Sequence, residues 1–146
     1  MFARLTADFP KANNGLAPVA DLGLPLEAGT RYLVEGTFFV ETSSVNGCKI
    51  DLAGGDVTIA EMRATVDAFG LNSSGGTGFV RGVFDTLMDL FGNNKVISGA
   101  CIPVSVRGIV QTNAAGTLVP RFAQHSTNAT PVKMLKDSYW NVTLVA

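Results

Sequence analysis

The sequence is poor in charged residues. Charged side chains make up 16% of its 146 residues, whereas about 25% is usual in soluble domains. The mean hydropathy is correspondingly high, at +0.28. No apolar run approaches the roughly 18–20 residues that a membrane-spanning helix requires. We therefore expect no membrane partner, and we expect part of the apolar surplus to be buried against other subunits.

Excess positive charge is also lacking. The chain has 11 Lys and Arg residues against 12 Asp and Glu residues, which gives a formal net charge of −1. Proteins that bind DNA or RNA need surplus cations to neutralise phosphates, so we expect no nucleic-acid partner. The N-terminal sequence also lacks the apolar stretch of a secretory signal peptide.

Cysteine and histidine, which metal sites and nucleophilic sites use most, are scarce. Cys48 and Cys101 stand outside any CxxC motif, and we interpret both as small buried apolar residues, with a disulfide between them left open. The one histidine, His125, lies in a polar segment, and no GxSxG nucleophile motif accompanies it. We therefore predict no catalytic residue, no cofactor-binding site, no cofactor and no metal site, and we expect that the protein is not an enzyme.

Alternating apolar and polar residues are abundant, and this pattern predicts β-strands. In the clearest case, 31–41, one face would consist of Tyr32, Val34, Gly36, Phe38 and Val40. Turn residues separate this strand from further predicted strands at 48–53, 57–69, 101–112, 117–126, 131–136 and 138–145. Short strands in this number predict a single all-β domain, either an antiparallel β-sandwich or a jelly roll.

Local patterns divide the chain further. Prolines and turn residues predict an extended N-terminal arm at 1–21, which precedes the β-sandwich domain at 22–146. Apolar residues at spacings of three and four predict one short helix at about 79–91, with two strands as the alternative. In strand 57–69, Ala60 is expected to belong to the buried face. The residues at 113–116 predict a hairpin loop.

Several large apolar residues lie where a sandwich does not obviously need them. Two are on the polar side of the strand at 31–41, and the others are near the chain termini. One interpretation is that they complete a two-sided core. The other is that they line an assembly interface, where aromatic residues concentrate. The candidate interface residues are Phe2, Phe9, Leu33, Phe39 and Trp140.

Six runs of residues carry a resemblance to a known family. They are 24–36 (LPLEAGTRYLVEG), 46–55 (NGCKIDLAGG), 106–110 (VRGIV), 115–118 (AGTL), 121–124 (RFAQ) and 137–142 (DSYWNV). In this order they resemble the β-sandwich modules of tailed-bacteriophage structural proteins, which include head decoration (cement) proteins and tail or fibre tips. The resemblance covers roughly 22–146, and the family's fold is similar to the trimeric jelly roll of tumour necrosis factor-like domains.

The resemblance implies a homotrimer whose inner strands pack around a threefold axis and whose arm reaches a neighbouring subunit. It implies a virion protein, made in the host bacterial cytoplasm and placed on the capsid exterior, with the major capsid protein as its partner. Because the domain begins almost at Met1, without a fibre shaft, we expect a capsid decoration protein. A tail or fibre component that recognises a host glycan or protein is the alternative. An enzyme or small-ligand sandwich is a third hypothesis.

Overall fold

The computed structural model describes residues 1–42, 47–71, 77–88 and 99–145. Within these ranges the chain forms thirteen strands and one short 3-10 helix, Ala20–Leu22. The strands are β1 (Phe2–Arg4), β2 (Phe9–Lys11), β3 (Ala17–Pro18), β4 (Leu24–Leu26), β5 (Arg31–Thr42), β6 (Cys48–Asp51), β7 (Thr58–Leu71), β8 (Thr77–Phe84), β9 (Gly99–Ala114), β10 (Gly116–Leu118), β11 (Arg121–Gln124), β12 (Val132–Met134) and β13 (Tyr139–Leu144). The predicted all-β antiparallel class is confirmed.

The strands form one large sheet and two small ones. The large sheet has eight strands, six of them in the order β1-β13-β5-β9-β7-β8, while β12 pairs with both β5 and β2. The small sheets are β10-β4 and β3-β11-β6. Strands β5 and β9 pair along most of their length, with Tyr32 opposite Val110 and Phe38 opposite Val104. These two strands form the centre of the large sheet.

Buried side chains from all three sheets form one continuous hydrophobic core. Val34 and Phe38 come from the large sheet, Leu118 from β10 and Phe122 from β11, and none of these has exposed surface. The alternation predicted for β5 is therefore confirmed, because its apolar set faces the small sheets. The molecule is a β-sandwich in which the other face of the large sheet is directed away from the core.

The helix predicted at about 79–91 is wrong. Residues up to Phe84 belong to β8, which pairs with β7, and a turn follows at 85–88; residues 89–91 lie outside the described residues. Val83 is exposed and the adjacent Phe84 is buried, which is the two-residue period of a strand. Pairing with β7 outweighs a helical spacing that Gly82 already weakens. Among the described residues, no helix is long and apolar enough to cross a membrane.

A bulge in β7 changes the predicted phase of that strand. Met62, Ala64, Val66 and Ala68 are buried as expected, but Ala60 is exposed. The register with β9 shifts between Ile59 and Glu61. One extra residue in a strand moves the preceding side chains to the opposite face, and this shift places Ala60 outside the core.

The hairpin predicted at 113–116 is also wrong. After β9 the chain leaves the large sheet, and β10 pairs with β4 in the second layer. At the crossing, a Cβ on Gly116 would lie 2.6 Å from the Cα of Val57, so the close approach of the two backbones requires glycine. Thr117 N–H donates to the Asp56 carboxylate at 2.6 Å, which fixes the crossing.

The segment predicted as an arm, residues 1–21, lies along the chain's own sheets. Strand β1 pairs with β13, β2 with β12 and β3 with β11. Ala3, Leu5 and Val19 are buried in the core. In this structure the segment therefore contributes to the fold of its own subunit.

Gly29 is the turn residue before β5, and its replacement provides a small stability test. Its φ of +66° is in the left-handed region, and a Cβ would meet nothing within 4 Å. We expect Gly29→Ala to lower the free energy of unfolding by about 1 kcal/mol through backbone strain alone. Gly15→Ala, at a position without a positive φ, should be neutral or slightly stabilising. Urea denaturation of both variants measures the difference, and equal effects would refute the assignment of strain to Gly29.

Candidate functional site

The outer face of the large sheet is the broadest exposed surface that the strands build. Register across six strands places one row of side chains on this face. The row runs from one edge to the other as Phe2, Asn141, Glu35, Arg107, Thr65 and Val83. Its ends are apolar and its centre is polar, so this face differs from the wholly apolar inner face.

Cations outnumber anions on this outer face. The strand register places six cationic side chains there, namely Arg4, Arg31, Arg63, Arg81, Arg107 and Lys133. It places four anionic side chains there, namely Glu35, Glu41, Glu61 and Asp67. The whole chain has a formal net charge of −1. The protein is therefore polarised, with a positive sheet face and a net acidic remainder.

Cross-strand ion pairs organise the charges on the outer face. Glu61 accepts from both Arg31 and Arg63, at 3.1 and 3.2 Å. Two guanidinium groups therefore share one carboxylate, and positive charge is in local excess. Arg107 lies 3.1 Å from Glu35 on the neighbouring strand.

Two further cross-strand pairs on this face hold their cations protonated. Hydrogen bonding to Asp67, with its negative charge, raises the pKa of Arg81 above its usual value. Hydrogen bonding to Glu41, likewise with its charge, raises the pKa of Lys133. The positive charge of these two residues therefore persists across the physiological pH range.

Apolar side chains are exposed at both edges of the outer face. At one edge, Phe2 is 61% exposed and its ring centroid lies 6.0 Å from that of Tyr139; we name this pair the β1 edge. At the opposite edge, Val83 is 70% and Met88 67% exposed; we name this pair the β8 edge. Large exposed apolar groups of this kind mark sites of association.

The structure separates the five candidate interface residues predicted from the sequence. Phe2 is exposed, and Leu33 and Phe39 are partly buried on the outer face. Phe9 packs against the core. Trp140 is fully buried, because the alternation of β13 directs it inward, so it has no surface available for another subunit. The same alternation directs Tyr139 outward, a signal that could have identified this neighbour as the exposed aromatic residue.

A shallow cleft of about 590 Å³ lies on the outer face beside β7. Strand β8 ends at Phe84 opposite Ala64, whereas β7 begins six residues earlier at Thr58. Within the described ranges, residues 58–63 pair only with β9, and their other edge is open. The cleft, which we name the β7 cleft, is lined by Ala60, Glu61, Met62, Arg63, Ala64, Thr65, Val83, Phe84, Asp85 and Arg107.

Both cysteines are free thiols, but only one is buried. Cys48 is buried in β6, as predicted, whereas Cys101 is exposed. The prediction for Cys101 was wrong because Ile102 occupies the inward position of β9, which directs its neighbour outward. Burial raises the pKa of the Cys48 thiol to about 12.

We expect one cysteine to react rapidly with a thiol reagent in the native protein, and the second only after unfolding. The thiolate is the reactive form, and Cys48 remains a neutral thiol in the fold up to about pH 12. Its folded pKa exceeds its unfolded value of about 9, so its contribution to stability is complete below pH 9 and is lost as the pH rises towards 12. Labelling of Cys101→Ser should lose the fast phase; a fast phase that persists would contradict the assignment.

The chemistry-bearing residues that the sequence singled out do not converge. His125 Nδ1 lies 3.3 Å from the hydroxyl oxygen of the adjacent Ser126, which is a local contact. Across the residues that the structure describes, no three His, Cys, Asp or Glu side chains come together as a metal-binding group. The outer face and its cleft are therefore the candidate functional site.

Comparison with known proteins yields weak structural neighbours. No protein-family model matches the chain, and no curated protein sequence matches it. A structure of the infectious bursal disease virus Gt strain aligns with 99% of this chain and 42% of its own, at 11% identity and a TM-score of 0.30. The crystal structure of the infectious bursal disease virus VP2 subviral particle aligns with 97% and 38%, at 11% identity and a TM-score of 0.24. The chain thus spans about two fifths of the length of these neighbours.

Proposed function

We propose that the protein is a virion structural protein, specifically a decoration protein on the exterior of a bacteriophage capsid, and that it is not an enzyme. The observation that carries this proposal is the open outer face of the large sheet, with exposed apolar groups at both edges. A sheet face of this kind offers a broad contact surface for other proteins. The resemblance of residues 22–146 to phage decoration modules supports the same role.

The two apolar edges favour a closed ring of copies. The β1 edge and the β8 edge lie at opposite ends of the same face and consist of different residues. A contact between unlike edges is heterologous, and heterologous contacts close into rings when the rotation between copies permits. We propose a homotrimer, in which the β1 edge of each copy contacts the β8 edge of the next.

Stabilisation of the capsid would follow from mass action. A protein that binds the assembled shell, and not the dissociated subunits, stabilises the shell by its binding free energy. One ligand present at one hundred times its Kd contributes about 2.7 kcal/mol. A trimer that engages several capsid subunits at once also gains avidity, because its second and third contacts are intramolecular. The major capsid protein is the partner that this mechanism requires.

Subunit stoichiometry and direct binding test the proposed role. A quantitative gel of purified particles should show the protein in numbers comparable to the major capsid protein, and purified protein should bind empty heads. Only a few copies per particle, together with binding to host cells, would favour the tail or fibre alternative. Absence from the particles would overturn the proposed function.

Sedimentation equilibrium tests the trimer separately. The wild-type protein should sediment as a trimer at micromolar concentration, and Phe2→Ser/Tyr139→Ser should shift it towards monomer. Both side chains are exposed, so the double substitution should leave the fold intact. Leu144→Ser is a control, because Leu144 is also exposed but belongs to neither apolar edge. A wild-type protein that sediments as a clean monomer would overturn the trimer.

A further inference from the structure

We infer that the β7 cleft binds an extended, acidic segment of a partner protein. The inference deepens the proposed function and rests on it in one respect: in a decoration protein the segment would belong to the capsid surface. Three observations converge on the cleft, namely an open strand edge, a local excess of positive charge, and exposed small and branched apolar side chains.

The open strand edge is suited to an extended segment. Residues 58–63 of β7 have β9 on one side, and within the described ranges no strand lies on the other. After Phe84 the chain turns towards the second layer, where Leu87 C=O accepts a hydrogen bond from Leu52 N–H at 2.9 Å. This turn leaves room beside β7. An incoming strand could add main-chain hydrogen bonds there, as in other cases of strand addition to a sheet edge.

Charge complementarity selects an acidic segment. Arg63 and Arg107 line the cleft, and their side chains are 84% and 76% exposed. The carboxylate paired with Arg63 is Glu61, which Arg31 also uses. The pair of guanidiniums therefore has unused capacity for a partner carboxylate, and because both are already solvated at the surface, approach of an anion requires little desolvation of buried groups.

The remaining lining residues suit a peptide backbone and modest side chains. Ala60 and Val83 present exposed apolar surface, and Thr65 offers a hydroxyl group. Asp85 also lines the cleft and would repel an acidic segment. The inference therefore makes a specific prediction of opposite sign at this position: Asp85→Asn should strengthen the binding.

Fluorescence anisotropy with a labelled peptide of alternating Glu and Thr tests the cleft directly. We expect saturable binding that weakens as salt rises, because surface charges are screened over about 10 Å at 0.1 M salt. The same peptide with Gln in place of Glu should bind much more weakly. Arg63→Glu/Arg107→Glu should weaken binding of the acidic peptide by about tenfold or more.

A matched control separates the site from overall charge. Lys11→Glu/Lys49→Glu changes the net charge by the same amount, and these residues lie in β2 and β6, away from the cleft. This control should bind the acidic peptide as the wild type does, apart from a small general effect. Arg63→Gln/Arg107→Gln, which removes the charges without reversing them, provides a milder variant if the reversed one unfolds.

The outcomes distinguish this inference from the proposed function. Equal weakening by both double variants, or no weakening by either arginine variant, would overturn the cleft as the binding site. Binding of a uronic-acid oligosaccharide without binding of the acidic peptide would overturn the protein-segment partner. If wild type and Arg63→Glu/Arg107→Glu bind empty heads equally, the inference fails while the decoration role stands. Cleft-dependent peptide binding by a protein that does not bind heads supports the inference and overturns the decoration role.

Discussion

Trp140→Ala is expected to lower the free energy of unfolding by about 4 kcal/mol, within the roughly 3–5 kcal/mol typical of a buried aromatic truncated to Ala. The indole is fully buried and its ring centroid lies 6.2 Å from that of Phe38. Its Nε1 donates a hydrogen bond to Leu22 C=O at 2.6 Å. The substitution therefore creates a cavity and also leaves a carbonyl of the second layer without its donor.

Gly36 shows how specifically the structure accommodates this indole. Gly36 is paired with Trp140 across β5 and β13, and a Cβ on Gly36 would lie 2.4 Å from the Cβ of Trp140. Trp140→Phe keeps most of the buried ring and loses the hydrogen bond, so we expect a loss of about 1–2 kcal/mol. Tyr139→Ala, at the adjacent exposed position, should cost under about 1 kcal/mol. Urea denaturation provides all three values, and equal stability of the Ala and Phe variants would refute the assignment of Trp140 to the core.

Arg121→Ala is expected to have the second large effect, a loss of about 3–5 kcal/mol. Arg121 donates from Nε to Asp51 Oδ1 at 2.8 Å and from a terminal nitrogen to Oδ2 at 2.6 Å. The Asp51 side chain has no exposed surface. Removal of the guanidinium therefore leaves a buried carboxylate without its cation, and the hydrogen bond from Ala53 N–H is only partial compensation.

A double-mutant cycle isolates the contribution of this pair. Asp51→Ala should cost less than Arg121→Ala, because the Arg121 side chain is partly exposed and its charge can reach water. Asp51→Ala/Arg121→Ala should be more stable than Arg121→Ala alone, since the double variant contains no unpaired buried charge. Arg121→Lys keeps the charge and loses the two-point geometry, so it should be intermediate. Strictly additive losses would contradict this account of the pair.

The sequence predicted those parts of the fold that depend on local alternation. Strand β5 alternates cleanly from Tyr32 to Val40, and the structure buries the predicted face. The same local rule, applied to β13, would have assigned Trp140 to the core and Tyr139 to the surface. In that case the large size of Trp140 and its position near the chain terminus were misleading, because the register of the final strand decides the direction of the side chain.

Features that depend on pairing between distant segments could not be predicted. The spacing in 79–91 fits a helix locally, and only the partner strand β7 makes its first part a strand. Similarly, β10 pairs with β4 across the sandwich, and no local signal marks that choice. The β7 cleft exists because β8 ends opposite Ala64 while β7 continues beyond it. Its arginines were visible in the sequence, but their shared carboxylate depends on the register of three strands.

The location and copy number of the protein in a reconstruction of the whole particle test the proposed decoration role most directly. The proposal predicts trimeric density on the outer surface of the head, at threefold positions between major capsid subunits, in numbers comparable to those subunits. The β7 cleft should face an acidic segment of the shell. Density confined to the tail or its fibres, or no density on the particle, would contradict the proposed role.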